Sequence, residues 1–281
     1  MSNNTKIEWA GMSWPLVTGC TYAGESCLDC YAVRDSWRLA GNPNPKVSEP
    51  YSGIVKKVLV AGKWLLRWTN TVKIHPDRLE WVTNRQKPRR VFVSNMGDLF
   101  HKNVPDWFID RAFDRMEKCP QHKFLVLTKR GDRMAKYVAD RQPLSNVMLG
   151  ISAGTKKELI QRGSEIISIK GWQLFLSLEP LLEPIDWELA AVLDSSKNFV
   201  WVVCGGQSSK KQSDAKRCEI DWLTGIVGVC GDRDVACFVK QLGGYLAAKL
   251  NLTDRKGCDW EEWNCESLKV REYEDVVADK L

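Results

Sequence analysis

Six short apolar runs, rich in β-branched residues, punctuate the chain: VFVS at Val91–Ser94, FLVLT at Phe124–Thr128, VMLGIS at Val147–Ser152, QLFLSL at Gln173–Leu178, FVWVVC at Phe199–Cys204 and VACFV at Val235–Val239. Runs of this length with apolar neighbours on both sides read as strands buried on two faces. Between them the period changes to that of a helix. Phe108, Ile109, Ala112, Phe113 and Met116 fall on one face behind Pro105 and Asp106, and Thr155 with Glu158 makes a capping-box signature ahead of Leu159, Ile160 and Ile166. Successive strands begin 33, 23, 26, 26 and 36 residues apart, which leaves room for a crossover helix each time. A seventh strand is expected around Trp14–Thr18, running straight into a cysteine-containing loop. The fold class is therefore α/β with a parallel sheet, either an open doubly wound sheet or a partial or full parallel β/α barrel.

Both architectures place their chemistry just beyond the C-terminal ends of the strands. Those positions hold Ser94, Asn95 and Asp98, then Thr128, Lys129 and Arg130, then Ser152, Glu179, the pair Gly205 and Gly206 with Gln207, and finally Lys240 and Gln241. Each has a plainer reading. A Gly-Gly pair is often a turn, Glu179 before Pro180 could close a strand, Lys129 and Arg130 could be the solvated start of a helix, and His75 and His101 could be packing histidines.

The cysteine loop is the more specific signal. Cys20, Cys27 and Cys30 are spaced C-x6-C-x2-C and stop at three. A structural zinc site closes with four ligands, whereas a site that must bind a substrate keeps one position open. Thiolates also hold iron–sulfur clusters, and three of them on a four-iron cluster leave one iron for a small molecule with an amine and a carboxylate. The spacing admits that cluster, a zinc site completed by His75, His101 or another cysteine, or three unlinked thiols. The remaining cysteines, among them Cys204, Cys230, Cys237, Cys258 and Cys265, suit buried packing better than a second cluster.

Composition adds a partner and a compartment. No apolar run reaches 18 residues and the N-terminus has no apolar leader core, so neither a membrane span nor a secretion signal is expected, and a cytoplasmic setting with reduced thiols follows. The formal charge is +6, unevenly spread. Gly41 to Arg90 carries eleven Lys and Arg against three acids, together with Trp64, Trp68 and Trp81, whereas Asp254 to Leu281 carries nine acids against five bases. Bases interleaved with aromatics suit nucleic-acid contact; solvated helix faces with tryptophans packed beneath are the alternative. The expected layout is a barrel over residues 1–250 with a basic insertion at about 41–90, followed by an acidic extension over 251–281 that packs on it.

The phrases SWPLVTGC, CYA, HPDRL, VFVSNMGDLFHKNVP, HKFLVLTKR, FLSLEPLLEPID and FVKQLGG bring a family into view. From about Ile7 to Gly244 the chain resembles the phage-associated three-Cys-motif proteins, a domain of unknown function in the radical S-adenosylmethionine superfamily, and more distantly is similar to spore photoproduct lyase. The superfamily's usual loop is C-x3-C-x2-C, so the first gap of six here is a departure, while Tyr31 after the last cysteine fits its habit. The resemblance implies a radical S-adenosylmethionine type of β/α barrel, with a 4Fe-4S cluster on Cys20, Cys27 and Cys30. It further implies S-adenosylmethionine held by Ser94, Asn95 and Asp98 at its amino group, by Thr128 and Lys129 at its carboxylate, and by Ser152. Glu179, Gln207 and Lys240 would face cofactor or substrate, and Tyr31 or Tyr22 could relay a hydrogen atom. The implied substrate is DNA or a nucleotide, in repair or modification, with an electron donor and a companion protein as partners. A zinc-stapled nucleic-acid-binding protein without catalysis is the alternative.

Overall fold

The computed structural model describes residues 5, 7–209 and 211–273, and the chain divides into two compact units, Met1–Arg130 with Leu144–Met148 and Gly131–Pro143 with Leu149–Leu281. In the first unit, β1 (Met12–Trp14) and β2 (Val17–Thr18) lead through the cysteine loop into α1 (Tyr31–Ala40). A short α2 (Pro45–Ser48), a hairpin of β3 (Val55–Val60) and β4 (Lys63–Trp68), and β5 (Lys73–Ile74) follow, and β6 (Arg90–Val93), α3 (Asp106–Glu117) and β7 (Lys123–Thr128) complete it. The second unit alternates throughout: α4 (Gly131–Val138), β8 (Val147–Ser152), which begins in the first unit, α5 (Lys156–Ile166), β9 (Gln173–Leu178), α6 (Asp186–Asp194), β10 (Phe199–Gly205), α7 (Ile220–Gly231), β11 (Ala236–Gln241) and α8 (Gly244–Lys249).

Seven strands form one parallel sheet in the order β1-β6-β7-β8-β9-β10-β11. A doubly wound sheet reverses its strand order at a switch point. Here every neighbour follows in chain order, so the connectivity is that of a partial β/α barrel. The central strands are apolar on both faces because both are covered: Phe124, Leu125 and Val126 of β7 and Leu174, Phe175 and Leu176 of β9 are inaccessible to solvent. The apolar face predicted for α3 is the buried one, through Phe108, Ile109, Ala112, Phe113 and Met116. Thr155 caps α5 by accepting from the Glu158 amide at 3.2 Å, and the Glu158 carboxylate reaches back to the Gly154 amide at 2.8 Å, one residue before the cap. Burial makes Glu158 need a charge partner, which Arg162 one turn later supplies at 3.2 Å.

Two expectations are corrected. The strand placed around Trp14–Thr18 is two elements, because Pro15 has no N–H for a ladder and the Leu16 amide turns back to the Trp14 carbonyl at 2.9 Å. β1 alone joins the sheet, while Val17 and Thr18 pair antiparallel with Ile74 and Lys73. The second correction concerns the basic insertion, where helix faces were the alternative to nucleic-acid contact. It is built around the antiparallel β3–β4 hairpin instead, whose two-residue loop, Ala61 and Gly62, has positive φ at both positions, the geometry that matches the twist of hairpin strands.

The described part of the acidic extension belongs to the second unit. Arg271 bridges Phe238, donates to the Cys258 carbonyl at 2.6 Å and lies 4.6 Å over the Trp260 ring, and the Trp201 indole donates to the Glu272 carbonyl at 2.9 Å. Residues 274–281, the end of that extension, lie outside the described residues. Cys204, Cys230 and Cys237 are buried against one another in the same unit. Among the described residues no helix is long and apolar enough to cross a membrane.

Candidate metal and cofactor site

The cysteine loop is fixed to the sheet by backbone. After β2 the chain turns through Gly19, at φ +83°, whose amide donates to the Met96 carbonyl at 3.1 Å and which bridges Gly97 in the turn after β6. A Cβ on Gly19 would stand 2.1 Å from the Thr71 carbonyl oxygen, so both its conformation and its surroundings exclude a side chain. Cys20 is thereby set beside the ends of β6 and β7.

Those ends are tied together by one buried carboxylate. Asp98 accepts from the Thr128 hydroxyl at 2.8 Å, the Phe100 amide at 2.9 Å, the Lys129 amide at 3.3 Å and the Arg130 guanidinium at 2.6 Å. The second arm of Arg130 reaches the cysteine loop: it donates to the Thr21 hydroxyl at 2.8 Å and carbonyl at 3.1 Å and stands 3.8 Å from Cys20 Sγ. Burial works against the Arg130 charge, but Asp98 and Cys20 outweigh it and hold its pKa above the ordinary arginine value. His101 completes this shell. Its Nδ1 accepts from the Asn103 amide at 3.1 Å, which leaves the proton on Nε2 to donate to the Thr21 hydroxyl at 3.0 Å. His75 is spent likewise: the Thr18 hydroxyl donates to the Pro50 carbonyl at 2.6 Å, so it accepts from His75 Nε2 at 2.9 Å.

All three thiols are free. Burial pushes the Cys20 thiol up to about 12, with Asp98 adding to the rise, Arg130 opposing it, and Cys30 and Cys27 contributing as like charges. Burial also raises Cys30, which sits at the N-cap of α1, where the amides of Ala32 and Val33 and the Lys129 ammonium pull the other way. Such thiols are protonated at neutral pH and become ligands by exchanging their protons for a metal. Lys129 Nζ donates to Ser26 Oγ at 2.7 Å, between Cys20 and Cys27 in the chain. Among the described residues no three His, Cys, Asp or Glu side chains are gathered as a group that could hold one metal ion.

Two polar atoms here have no partner. Ser94, directly after β6, is buried at φ +64° with its hydroxyl unbonded, and Asn95 Oδ1 beside it is also unbonded. The left-handed conformation is costly for a side chain with a Cβ, and an unsatisfied buried oxygen is costly again. Tyr31, the first residue of α1, donates to the Asn95 carbonyl at 3.0 Å and keeps part of its ring in water. The first unit thus brings together Cys20, Cys27, Cys30, Tyr31, Ser94, Asn95, Asp98, Thr128 and Lys129. Arg130, expected among the polar strand-end positions but with no cofactor role assigned to it, is the residue that joins them. Its partner lies 32 residues away, so no local signal marks it.

Ser152, Glu179 and Lys240 form a separate polar group in the second unit. Lys240 Nζ pairs with Glu179 Oε1 at 3.0 Å, both mostly buried, and Ser152 Oγ donates to the Glu179 carbonyl at 3.4 Å. Gln207 and Gln241 are buried nearby in the chain but are used structurally, Gln207 accepting from the Lys216 amide at 2.8 Å and Gln241 donating to the Gly206 carbonyl at 2.7 Å.

Residues 4–273 match the family described as Protein of unknown function (DUF5131). The chain belongs to that family. Neither the curated proteins nor the solved structures yield a match to it. The match extends over both units and includes the cysteine loop.

Proposed function

We propose that this DUF5131 chain is a radical S-adenosylmethionine enzyme, that its partial barrel is of that type, and that its substrate is a nucleic acid or nucleotide, in repair or modification. Cys20, Cys27 and Cys30 are the residues that would hold a 4Fe-4S cluster, with S-adenosylmethionine as the second cofactor. The observation that carries the reading is the reach of two cations, Arg130 and Lys129, from the end of β7 onto one three-thiol loop. These cations suit the donor set because they offset thiolate charge, and the buried Ser94 hydroxyl and Asn95 Oδ1, both without a partner in the turn after β6, are polar groups that a ligand could satisfy. When bound, the cluster and S-adenosylmethionine would together supply radical chemistry able to take a hydrogen atom from substrate, with the electron coming from the external donor.

The chain's residues divide the remaining work. Lys129 offers an ammonium to a carboxylate, and Ser94 with Asn95 offers oxygens to an ammonium. Asp98 and Thr128 are saturated by each other and by Arg130, so they act as positioning residues that aim the cysteine loop. Tyr31 is a phenol at the edge of the site that can pass a hydrogen atom outward, while in the second unit Glu179, Lys240 and Ser152 form a polar group suited to contact with a substrate or cofactor. An electron donor is a required partner, and a companion protein is part of the same reading.

The test is anaerobic. The purified chain is reconstituted with iron and sulfide, metal per chain is measured, and 5'-deoxyadenosine is assayed after reduction with S-adenosylmethionine, beside a Cys20, Cys27, Cys30 triple alanine variant. Iron bound through the triplet and 5'-deoxyadenosine from the intact chain alone are expected. Zinc at one per chain with no cleavage overturns the reading and leaves a zinc-stapled nucleic-acid-binding protein.

A further inference from the structure

The β3–β4 hairpin is half built into the protein and half built out of it. Its register pairs Val55 with Trp68, Lys57 with Leu66 and Leu59 with Trp64, and because side chains alternate across a strand these six share one face. At the base of that face Val55 and Trp68 are buried with Tyr51, Ile54, Ala32, Val33 and Met96, a cluster against which Cys20, Cys30 and Leu66 also pack. Toward the tip the same face leaves the core. Leu59 is 60% exposed and Trp64 68% exposed, and Lys57 lies 5.5 Å over Trp37 of α1, itself 40% exposed. The opposite face carries Lys56, Arg67 and Lys63.

A cross-strand Leu–Trp pair stabilises a hairpin by up to about 1 kcal/mol, but that contact needs only one side of the indole. Two-thirds of Trp64 remains in water, at the end of a face that could have ended at Leu66. Its charge surroundings narrow the occupant. From Pro50 to Pro76 the chain has five cations, Lys56, Lys57, Lys63, Arg67 and Lys73, and no acid. A tip-to-tip contact with a second copy would set like charges together, and the acids of residues 254–281 in such a copy would complement the charge but offer no stack of flat bases, whereas a nucleic acid complements both features at once. Aromatic platforms flanked by cations bind single strands through stacking and phosphate contact, with little sequence preference.

We propose that the β3–β4 tip is a nucleic-acid-binding element that takes a single-stranded or unpaired segment, with Trp64 stacking on a base, Leu59 wedged beside it, and Lys56, Lys57 and Lys63 on the phosphates. The assignment rests on the nucleic-acid part of the function proposed above and not on the cofactor. Because the base of the hairpin packs on Cys20 and Cys30, a strand held at its tip is tethered to the wall of the thiol loop.

The experiment is fluorescence anisotropy with the full chain, without added iron or S-adenosylmethionine, titrated into a labelled oligothymidylate of about 20 nucleotides, longer than one aromatic-platform site needs, and into its duplex. Tighter binding of the single strand is expected. Trp64→Ala should weaken it by roughly 5- to 150-fold, Trp64→Phe should retain most of it, and Lys56→Ala with Lys63→Ala should flatten the log–log salt slope by about 1.4. An unchanged thermal midpoint in each variant shows that the hairpin still folds. Full affinity in a folded Trp64→Ala overturns the inference. So does concentration-dependent self-association in sedimentation that Trp64→Ala abolishes, which would make the tip a contact between copies. Strand binding without any S-adenosylmethionine cleavage defeats the proposed enzyme and leaves the hairpin assignment standing, while cleavage without binding at Trp64 does the reverse.

Discussion

Ser94 carries two costs at one position, a left-handed backbone and a buried hydroxyl without a partner. Neither is needed to turn the chain after β6, since glycine does that without strain. Ser94→Gly is therefore expected to raise folding stability by about 1–2 kcal/mol in urea denaturation while weakening S-adenosylmethionine binding in titration calorimetry. Lower stability in the variant would show that the hydroxyl is structural. His75 gives a pH dependence with a definite sign. Burial, reinforced by Arg78, lowers its pKa from 6.5 to about 4. Between those values the unfolded chain binds a proton that the folded chain refuses, so stability falls as pH drops through that window, by roughly 3 kcal/mol in all, and this group contributes no slope above pH 6.5 or so. Urea midpoints at pH 7 and pH 5 should separate clearly in the native chain and converge in His75→Gln; equal separation in both would rule His75 out as the source.

At the level of elements, legibility followed burial. β8 and β9 coincide with the runs predicted for them because every position but Gln173 is buried, so the apolar run and the strand share their ends. β1 was misplaced because Leu16 and Val17 are as buried as the strand itself, and only the missing Pro15 amide separates sheet from turn. The hairpin was illegible for the opposite reason. Half of its inward face lies beyond the core, so Lys56-Lys57, Leu59-Val60 and Leu65-Leu66 stand as like pairs and the alternation of a half-buried strand is lost. The site divided the same way. Cysteine spacing and strand-end polar residues are local signals, whereas the Asp98–Arg130 pair that joins them exists only once β6 and β7 are side by side.

For the molecule as a whole, the acidic extension is structure and not a tail, at least as far as residue 273. Val239 donates to the Val270 carbonyl at 2.8 Å, Cys237 to the Glu272 carboxylate at 3.1 Å, and Trp201 to the Glu272 backbone. Truncation after residue 250 strips these partners from β10 and β11 and exposes apolar surface on both; we expect loss of the cooperative thermal transition or insolubility. A transition retained without residues 251–273 would show those bonds to be decoration. The clamp of Arg130 on Thr21 has a different consequence, one of timing. Cys30 leaves the ribosome 100 residues before the residue that aims its loop, since 130 − 30 = 100. At synthesis rates of about 5–20 residues per second, the three thiols spend roughly 5–20 s in an unfinished chain, open to any oxidant or thiophilic ion, before the frame that distinguishes their proper occupant exists.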